Sequence, residues 1–337
     1  MKKALKKALC CLFLCLLISA PTFSIDFDFD IGDLQKTMDT FAKELALSLP
    51  FNSSIGLNWA DAHIGKFPHF GVGFSAGFTT MELSSFKKLI GYFSPALPAW
   101  VLGFGGFPVP AYALEARLGI IDLLDTGFKF GYMPMKSGQF RKLDYLLVGG
   151  DVRLRLLEDK GLLPGISFGV GFNYFKGGVG MTAGTDKALG YQYPDLTDPT
   201  NPVMTPATLT LKAPELDLDW STSSLDLKVQ ISKKVLVVTP YLGFGASSGW
   251  SKAGYKVLTR IEDTGGNIEM LRGIMKTFGI EDFTTNGFGA SAEVTGWSFR
   301  LYGGLSFNMP FVRIELTGLY NFIDKKYGLT MGARFQI

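Results

Sequence analysis

The sequence predicts an all-β protein: a transmembrane antiparallel β-barrel of about 12–14 strands, preceded by an N-terminal amphipathic helix. Two observations support this fold class. The mean hydropathy of +0.21 is high for a soluble exported protein, yet beyond residue 24 no apolar run reaches the roughly 18 residues of a membrane helix. Apolar and polar residues instead alternate along most of the chain, which gives each strand one apolar face.

Residues 1–24 predict a secretory signal peptide. Four lysines precede an apolar run from Ala8 to Ala20, and small and polar residues follow. This run is shorter than the roughly 20 residues that a membrane-spanning helix needs. The segment therefore predicts export, and together with the barrel pattern it predicts the outer membrane as the destination.

The cleavage position has alternatives. Cleavage after Ser24 is favoured over cleavage after Ala20, because a proline follows Ala20. A lipoprotein site at Cys15 is disfavoured, because a leucine rather than a small residue precedes it. Cleavage after Ser24 removes Cys10, Cys11 and Cys15, so the mature chain would hold no disulfide and no cysteine metal ligand.

Removal of the signal also changes the charge. Without its four lysines, 29 basic residues remain against 30 acidic ones, a net charge of −1. The basic isoelectric point therefore belongs to the signal, and no nucleic-acid partner is predicted.

Residues 25–50 predict a helical segment that could act as a plug. Apolar residues recur at roughly helical spacing between Gly32 and Leu49, with charged residues between them, and Pro50 is expected to end the helix. No linker divides the rest of the chain, so residues 51–337 are predicted to form one barrel.

The C-terminal segments show the strand pattern most clearly. Tyr327, Leu329, Met331, Ala333, Phe335 and Ile337 alternate with glycine, threonine, Arg334 and Gln336. The two preceding segments alternate in the same way, so these three predict a β-meander with short turns. Three longer connections, residues 81–109, 181–206 and 257–287, are predicted as extracellular loops, the last with a short helix around residues 268–278.

The alternation would also fit a soluble barrel or a two-sheet sandwich with the apolar face inward. An outward apolar face is favoured, because about 12 strands enclose a lumen too wide for side chains to fill. The polar faces then line the lumen, and the predicted lining residues are Glu115, Arg117, Lys129, Asp151, Arg153, Arg155, Asp226, Lys228, Arg300, Arg313, Glu315 and Arg334. They predict either a mildly basic aqueous path or an ion-pair network that stiffens the wall or seats a plug.

Aromatic residues near the predicted strand ends suggest an interfacial girdle, although aromatics are also enriched in strands generally. The predicted girdle residues are Trp59, Trp250, Trp297, Tyr302, Tyr320, Tyr327 and Phe335.

No catalytic or cofactor motif stands out. His63 and His69 lie near Asp61, but no spacing suits a tetrahedral metal site. The glycine-rich stretches do not open helices, so they are not phosphate-binding loops. The sequence predicts no enzyme, no cofactor and no metal.

The layout of signal, amphipathic helix, the Asn58-Trp59 entry into the barrel and a last strand with Phe335 and Ile337 resembles Gram-negative or spirochaetal outer-membrane barrels. In particular, it is similar to the FadL-like long-chain fatty-acid channels. The resemblance implies a helix that plugs the lumen, and a lipid-like ligand landing on residues 81–109. This chain is shorter than a typical member and ends in Ile337 rather than in the terminal aromatic that the barrel assembly machinery commonly reads.

The expected partners are therefore outer-membrane lipid, the assembly machinery and a small or lipid-like solute. We expect a passive channel for small or hydrophobic solutes, closed by residues 31–50. The alternative is a non-transporting adhesin or structural barrel whose loops 181–206 and 257–287 bind a partner.

Overall fold

The computed structural model describes residues 31–81, 88, 107–137, 140–182, 186–195, 203–213, 215–258, 260–263 and 288–337. The predicted signal, the predicted helix at residues 268–278 and most of the loop 81–109 lie outside these ranges. Within these ranges, helix α1 (Ile31–Ser53) precedes thirteen strands. The strands are β1 (Phe70–Met81), β2 (Phe107–Ile121), β3 (Leu124–Ser137), β4 (Phe140–Leu157), β5 (Gly165–Thr182), β6 (Lys187–Asp195), β7 (Val203–Leu211), β8 (Glu215–Ser232), β9 (Val238–Leu258), β10 (Ile261–Asp263), β11 (Phe288–Asn308), β12 (Val312–Asn321) and β13 (Lys326–Gln336).

Ten of these strands form a closed antiparallel barrel in the order β1-β2-β3-β4-β5-β8-β9-β11-β12-β13 and back to β1. The predicted all-β barrel with one N-terminal helix is confirmed. The first and last strands meet where the amide of Phe70 donates to the carbonyl of Ile337 at 3.1 Å and the amide of Ile337 donates to the carbonyl of Phe70 at 3.0 Å.

The barrel has ten strands rather than the predicted 12–14. Strands β6, β7 and β10 form a separate three-stranded sheet. In addition, β9 and β11 have 21 residues each, about twice the 9–11 that a membrane crossing needs. Part of the alternating sequence therefore belongs to the separate sheet or to the second half of a long strand. Neither adds a strand to the barrel.

The two ends of the barrel differ in their connections. At the end that carries the C-terminus, the strands are joined by residues 122–123, 158–164, 233–237 and 309–311. The three long connections, residues 82–106, 183–214 and 259–287, all leave the opposite end. Outer-membrane barrels have short periplasmic turns and longer extracellular loops, so the C-terminal end is periplasmic.

An apolar band surrounds the periplasmic part of the wall. On β12 and β13, Leu316, Leu329 and Met331 point outward and are exposed. Strand β13 has 11 residues, which span about 35 Å along the strand and about 25 Å after the usual tilt. That height matches the lipid-facing band of outer-membrane barrels, so the apolar face points outward at this level.

Beyond this band, the apolar residues change from the outer face of the strands to the inner face. On β9, Leu242 and Phe244 point outward, whereas Tyr255 and Val257, further along the same strand, are buried inside the barrel. Strand β8 changes in the same direction, from outward Leu225 and its neighbours to inward Leu216 and Leu218. The extracellular part of the barrel therefore resembles a soluble β-protein, with polar residues outside and an apolar core inside.

Helix α1 fills this extracellular core. Its apolar face, formed by Met38, Phe41, Ala42, Leu45, Ala46 and Leu49, packs against wall residues that include Tyr145, Leu147, Phe175 and Tyr255. Within the described part of the chain, no helix is long and apolar enough to cross a membrane.

The helix does not end at Pro50, as predicted, but continues to Ser53. Proline costs one helical hydrogen bond, but only the last turn is affected. The ring of Pro50 lies over Gly249, where an added Cβ would come within 2.4 Å of it. Residues 54–64 follow inside the lumen, and the exposed residues 66–69 lead to the start of β1 at Phe70.

Candidate functional site: the occupied lumen

Charged side chains line the lumen at the level of the lipid-facing band. Ten of the twelve predicted lumen residues are buried in the structure, and Arg155 and Arg313 are half-buried. The predicted set lacks Asp125, which is fully buried in the lumen. The alternation could have identified it, because Asp125 shares the inward phase of Lys129 on β3. Asp61 also joins the site, from the segment that follows the helix.

One group of ion pairs centres on Arg117. Its guanidinium donates to Asp125 at 2.6 Å and to Asp151 at 2.7 Å. Arg153 also binds Asp125, at 2.8 Å, and Lys228 binds Asp151 at 2.6 Å. Four barrel strands are thus joined through a single buried network.

A second ion pair joins β8 and β11. Arg300, whose side chain is 0% exposed, binds Asp226 at 2.7 Å and donates to Ser247 Oγ at 2.7 Å. The guanidinium lies over Gly245, where an added Cβ would come within 2.7 Å of Arg300 Cζ. The glycine therefore leaves the room that this arginine needs.

Residues 54–64, called the plug segment below, cross the lumen between these groups. Asp61 supplies its carboxylate: Arg313 donates to it at 2.6 Å and Arg334 at 2.7 Å. Arg334 also pairs with Glu315. The plug segment is thereby tied to β12 and β13.

Side chains of the wall hold the plug segment mainly through hydrogen bonds to the main chain of that segment. Lysine, glutamine and arginine side chains of the wall donate to main-chain carbonyls: Lys129 to Ser53 and Ile55 (2.7 Å each), Lys228 to Leu57 (3.0 Å), Gln230 to Trp59 (2.8 Å) and Ala60 (2.9 Å), and Arg153 to Asp61 (2.6 Å). Wall oxygens accept from main-chain amides: Glu315 from Ala60 (2.6 Å), Ser232 from Ala62 (3.0 Å) and Asp125 from Ile64 (3.2 Å). These bonds satisfy a chain that has no strand partner.

Two predicted girdle aromatics are wrong. Trp59 is 2% exposed and Tyr302 is 1% exposed. Trp59 lies on the plug segment, where its indole donates to Glu115 and its ring lies 4.4 Å from the guanidinium carbon of Arg334. Tyr302 shares the lumen-facing phase of Arg300 on β11, so the alternation itself predicts an inward position.

The other five girdle residues, Trp250, Trp297, Tyr320, Tyr327 and Phe335, point outward and are 37–55% exposed. Trp250 and Trp297 lie on neighbouring strands, at the level where the apolar residues change from the outer to the inner face. Indole rings favour the boundary between lipid and water. This level therefore marks the outer surface of the membrane.

The plug segment closes the lumen at the level of Trp59. A cavity of about 20 Å³ lies beside it, lined by residues that include Asn58, Ser75 and Thr330. A cavity of this size holds about one water molecule. The buried Oδ1 of Asn58 lines it and accepts no protein hydrogen bond, which one water molecule would supply.

The histidines lie near the periplasmic end and bind locally. The amide of Gly65 donates to Nδ1 of His63 at 3.0 Å, and Nδ1 of His69 lies 2.8 Å from the carbonyl of Lys66. Among the residues that the structure describes, no group of three or more His, Cys, Asp or Glu could hold a metal ion.

No protein-family model matches the chain, and no curated protein matches it. Among solved structures, the outer-membrane protease OmpT of Escherichia coli is 8% identical with a TM-score of 0.37, over 80% of this chain and 97% of that one. Ail, the attachment invasion locus protein of Yersinia pestis, is 10% identical with a TM-score of 0.27, over 80% and 97%. The monoaromatic hydrocarbon channel CymD is 8% identical with a TM-score of 0.24, over 80% of this chain and 87% of that one.

At these identities and TM-scores, the likenesses carry no argument about function. The class of protein follows from the barrel itself: a closed antiparallel wall, an outward apolar band with aromatics at its edge, and a charged lumen. The chain is an outer-membrane β-barrel protein. Its N-terminal helix and plug segment occupy the lumen.

Proposed function

We propose that the protein is a passive outer-membrane channel for small or hydrophobic solutes, exported by a cleaved signal and closed at rest by α1 and the plug segment. The observation that supports this proposal is the charge of the wall behind the plug segment. At the level of the band, the wall carries seven cations, Arg117, Lys129, Arg153, Lys228, Arg300, Arg313 and Arg334, and five carboxylates, Glu115, Asp125, Asp151, Asp226 and Glu315. With the plug segment displaced, this wall would line a water-filled path.

A permanently closed barrel would need wall groups that bind the main chain of the plug segment, but it has no need of the ion pairs among the wall residues themselves. Apolar side chains fill small barrels well, and buried ion pairs are often no more stable than apolar packing of similar volume. A wall that meets water during opening must instead stay polar. The excess of two positive charges would favour anions or zwitterions.

The extracellular half of the lumen would suit an apolar solute. Tyr145, Leu147, Phe175 and Leu216 form an apolar wall that α1 now covers. A shift of the helix would expose this wall to a solute that arrives from outside. The proposal gives no residue a catalytic role, because the buried charged groups of the lumen are engaged in ion pairs or plug contacts.

Conductance in planar bilayers tests the channel. The parent protein should stay close to the baseline current, since its lumen is closed. Asp61→Asn should raise the current and make it anion-selective, because it releases Arg313 and Arg334 from the plug segment while the wall is unchanged. Asp186→Asn, directly before β6 and outside the barrel wall, removes the same charge and should leave the current unchanged. A silent Asp61→Asn protein whose plug amides exchange rapidly with deuterium would refute the channel.

A second candidate is a non-transporting surface barrel. The observation that favours it is the polar exterior of the extracellular part, together with the sheet of β6, β7 and β10 at that end. A partner could bind there without any opening of the lumen. This candidate predicts baseline current for the parent and for every plug variant.

A further inference from the structure

The direction of α1 in the lumen is fixed by contacts at both of its ends. Near its start, Tyr255 Oη donates to Asp39 Oδ1 at 2.8 Å, and Tyr255 lies three residues before the extracellular end of β9. At its end, Ser53 Oγ lies 3.0 Å from Ser224 Oγ, about halfway along β8. The helix therefore runs inward from the extracellular mouth.

The chain then continues in the same direction. The plug segment binds Asp61 to Arg313 and Arg334 near the periplasmic ends of β12 and β13. The amide of Phe70 reaches the last residue, Ile337, at the periplasmic edge. Residues 31–69 thus cross the barrel once, from its extracellular end to its periplasmic end. Strand β1 then runs back toward the extracellular end.

The start of the helix lies further out than Asp39. A rise of 1.5 Å per residue places Ile31 about 12 Å beyond it along the axis, whereas only three residues of β9 remain beyond Tyr255. Asp33, Gln35 and Lys36 are exposed. One stripe of the helix, Lys36, Thr40, Lys43 and Leu47, stays exposed for three further turns, so water reaches it from the mouth.

We propose that the first turns of α1 are open to the exterior of the cell, so that the chain enters its own barrel from outside. The exposed turn with Asp33, Gln35 and Lys36 is then part of the external surface of the protein. This arrangement holds whether or not the lumen ever conducts.

Single-cysteine labelling of intact cells tests the proposal. The full-length chain would carry Lys36→Cys or, in a second strain, Asp33→Cys, and would be exposed to a membrane-impermeant maleimide. Lys256→Cys, outward on the extracellular part of β9, serves as the external control. Leu162→Cys, 99% exposed in the turn between β4 and β5, serves as the periplasmic control, and the parent chain gives the background.

Labelling of Lys36→Cys and Asp33→Cys on intact cells, to at least half the extent of Lys256→Cys, is the expected result. Leu162→Cys should react only after the outer membrane is permeabilised. If both helix positions follow the periplasmic control and react only after permeabilisation, the chain does not enter from outside and the proposal fails. Heat-modifiability on gels confirms beforehand that each variant is a folded barrel.

Discussion

At the scale of single residues, the lumen depends on pairing long charged side chains with glycines on the neighbouring strand. Arg300 lies over Gly245, and Arg117 and Asp151 both lie over Gly127, where an added Cβ would come within 2.8 Å of either side chain. In a narrow barrel, a side chain can lie flat against the wall only where its neighbour has none. These glycines make room for the ion pairs.

Asp226→Asn should destabilise the barrel by about 3–5 kcal/mol, because it leaves the Arg300 guanidinium buried without a counter-charge. Urea unfolding of the refolded protein in detergent would measure the loss. Lys252→Met is the matched control: its pair with Glu293 is 56% and 72% exposed, so its removal should leave the unfolding midpoint nearly unchanged. Equal losses for the two variants would contradict the buried network.

Gly245→Val should also destabilise the barrel, by roughly 1–3 kcal/mol, because the new side chain forces Arg300 off its carboxylate partner. The same unfolding measurement applies. Gly318→Val, on β12, is the control, since only one backbone atom, at 3.8 Å, lies within reach of its added Cβ. A loss at Gly318 as large as that at Gly245 would show that strand glycines matter for another reason.

At the scale of elements, the plug segment is recognised by its main chain rather than by its side chains. Apart from Asp61 and the indole of Trp59, its contacts to the polar wall use carbonyl oxygens and amides. The side chains of other residues in the plug segment should therefore tolerate substitution better than the wall residues that hold it.

Gln230→Leu should raise amide exchange across residues 57–62 by about tenfold, because it removes the donor shared by two plug carbonyls, and such bonds contribute about 1 kcal/mol each. Hydrogen–deuterium exchange with mass spectrometry would follow it. His63→Ala, on the plug segment itself, should leave the exchange within about twofold, because its ring accepts only from Gly65. A larger increase in exchange for His63→Ala than for Gln230→Leu would mean that the wall binds the side chains of the plug segment rather than its main chain.

At the scale of the whole molecule, the closed barrel predicts heat-modifiable mobility on gels. An unboiled sample of the mature chain should migrate faster than a boiled one and give a strand-dominated circular dichroism spectrum, because the closed wall resists detergent at room temperature. Equal mobility of the two samples, with solubility in the absence of detergent, would rule out the membrane barrel.

The period-two alternation was sufficient to predict the fold class and the lumen charges at Arg117, Asp151 and Arg300, and the helical spacing was sufficient to predict the helix. The alternation was insufficient for the strand count. Tyr302 is misassigned for a different reason: its residue type suggests the girdle, whereas the alternation places it inward. In a 21-residue strand such as β9, the two halves alternate in opposite phase, so their signals cancel when the strand is averaged as one unit. A window of about ten residues would separate the halves and reveal the membrane surface.

The plug contacts could not be predicted in this way. Lys129 and Ser53, or Gln230 and Ala60, meet only because the chain passes through the lumen before β1. Neither spacing nor alternation carries information on that path. The girdle prediction fails for Trp59 for the same reason. Its residue type suits the end of a strand, whereas the residues around it form no strand.

The hydrogen bonds between Phe70 and Ile337 close the wall into a ring. Each barrel strand therefore has two neighbours, and none can be removed without opening the ring. Loss of β13 would not shorten the barrel but would leave two open edges, on β1 and β12, each able to pair with another chain. It would also remove Arg334, one of the partners of Asp61. A chain without β13 would therefore expose two strand edges and would lack one of the anchors of its plug segment.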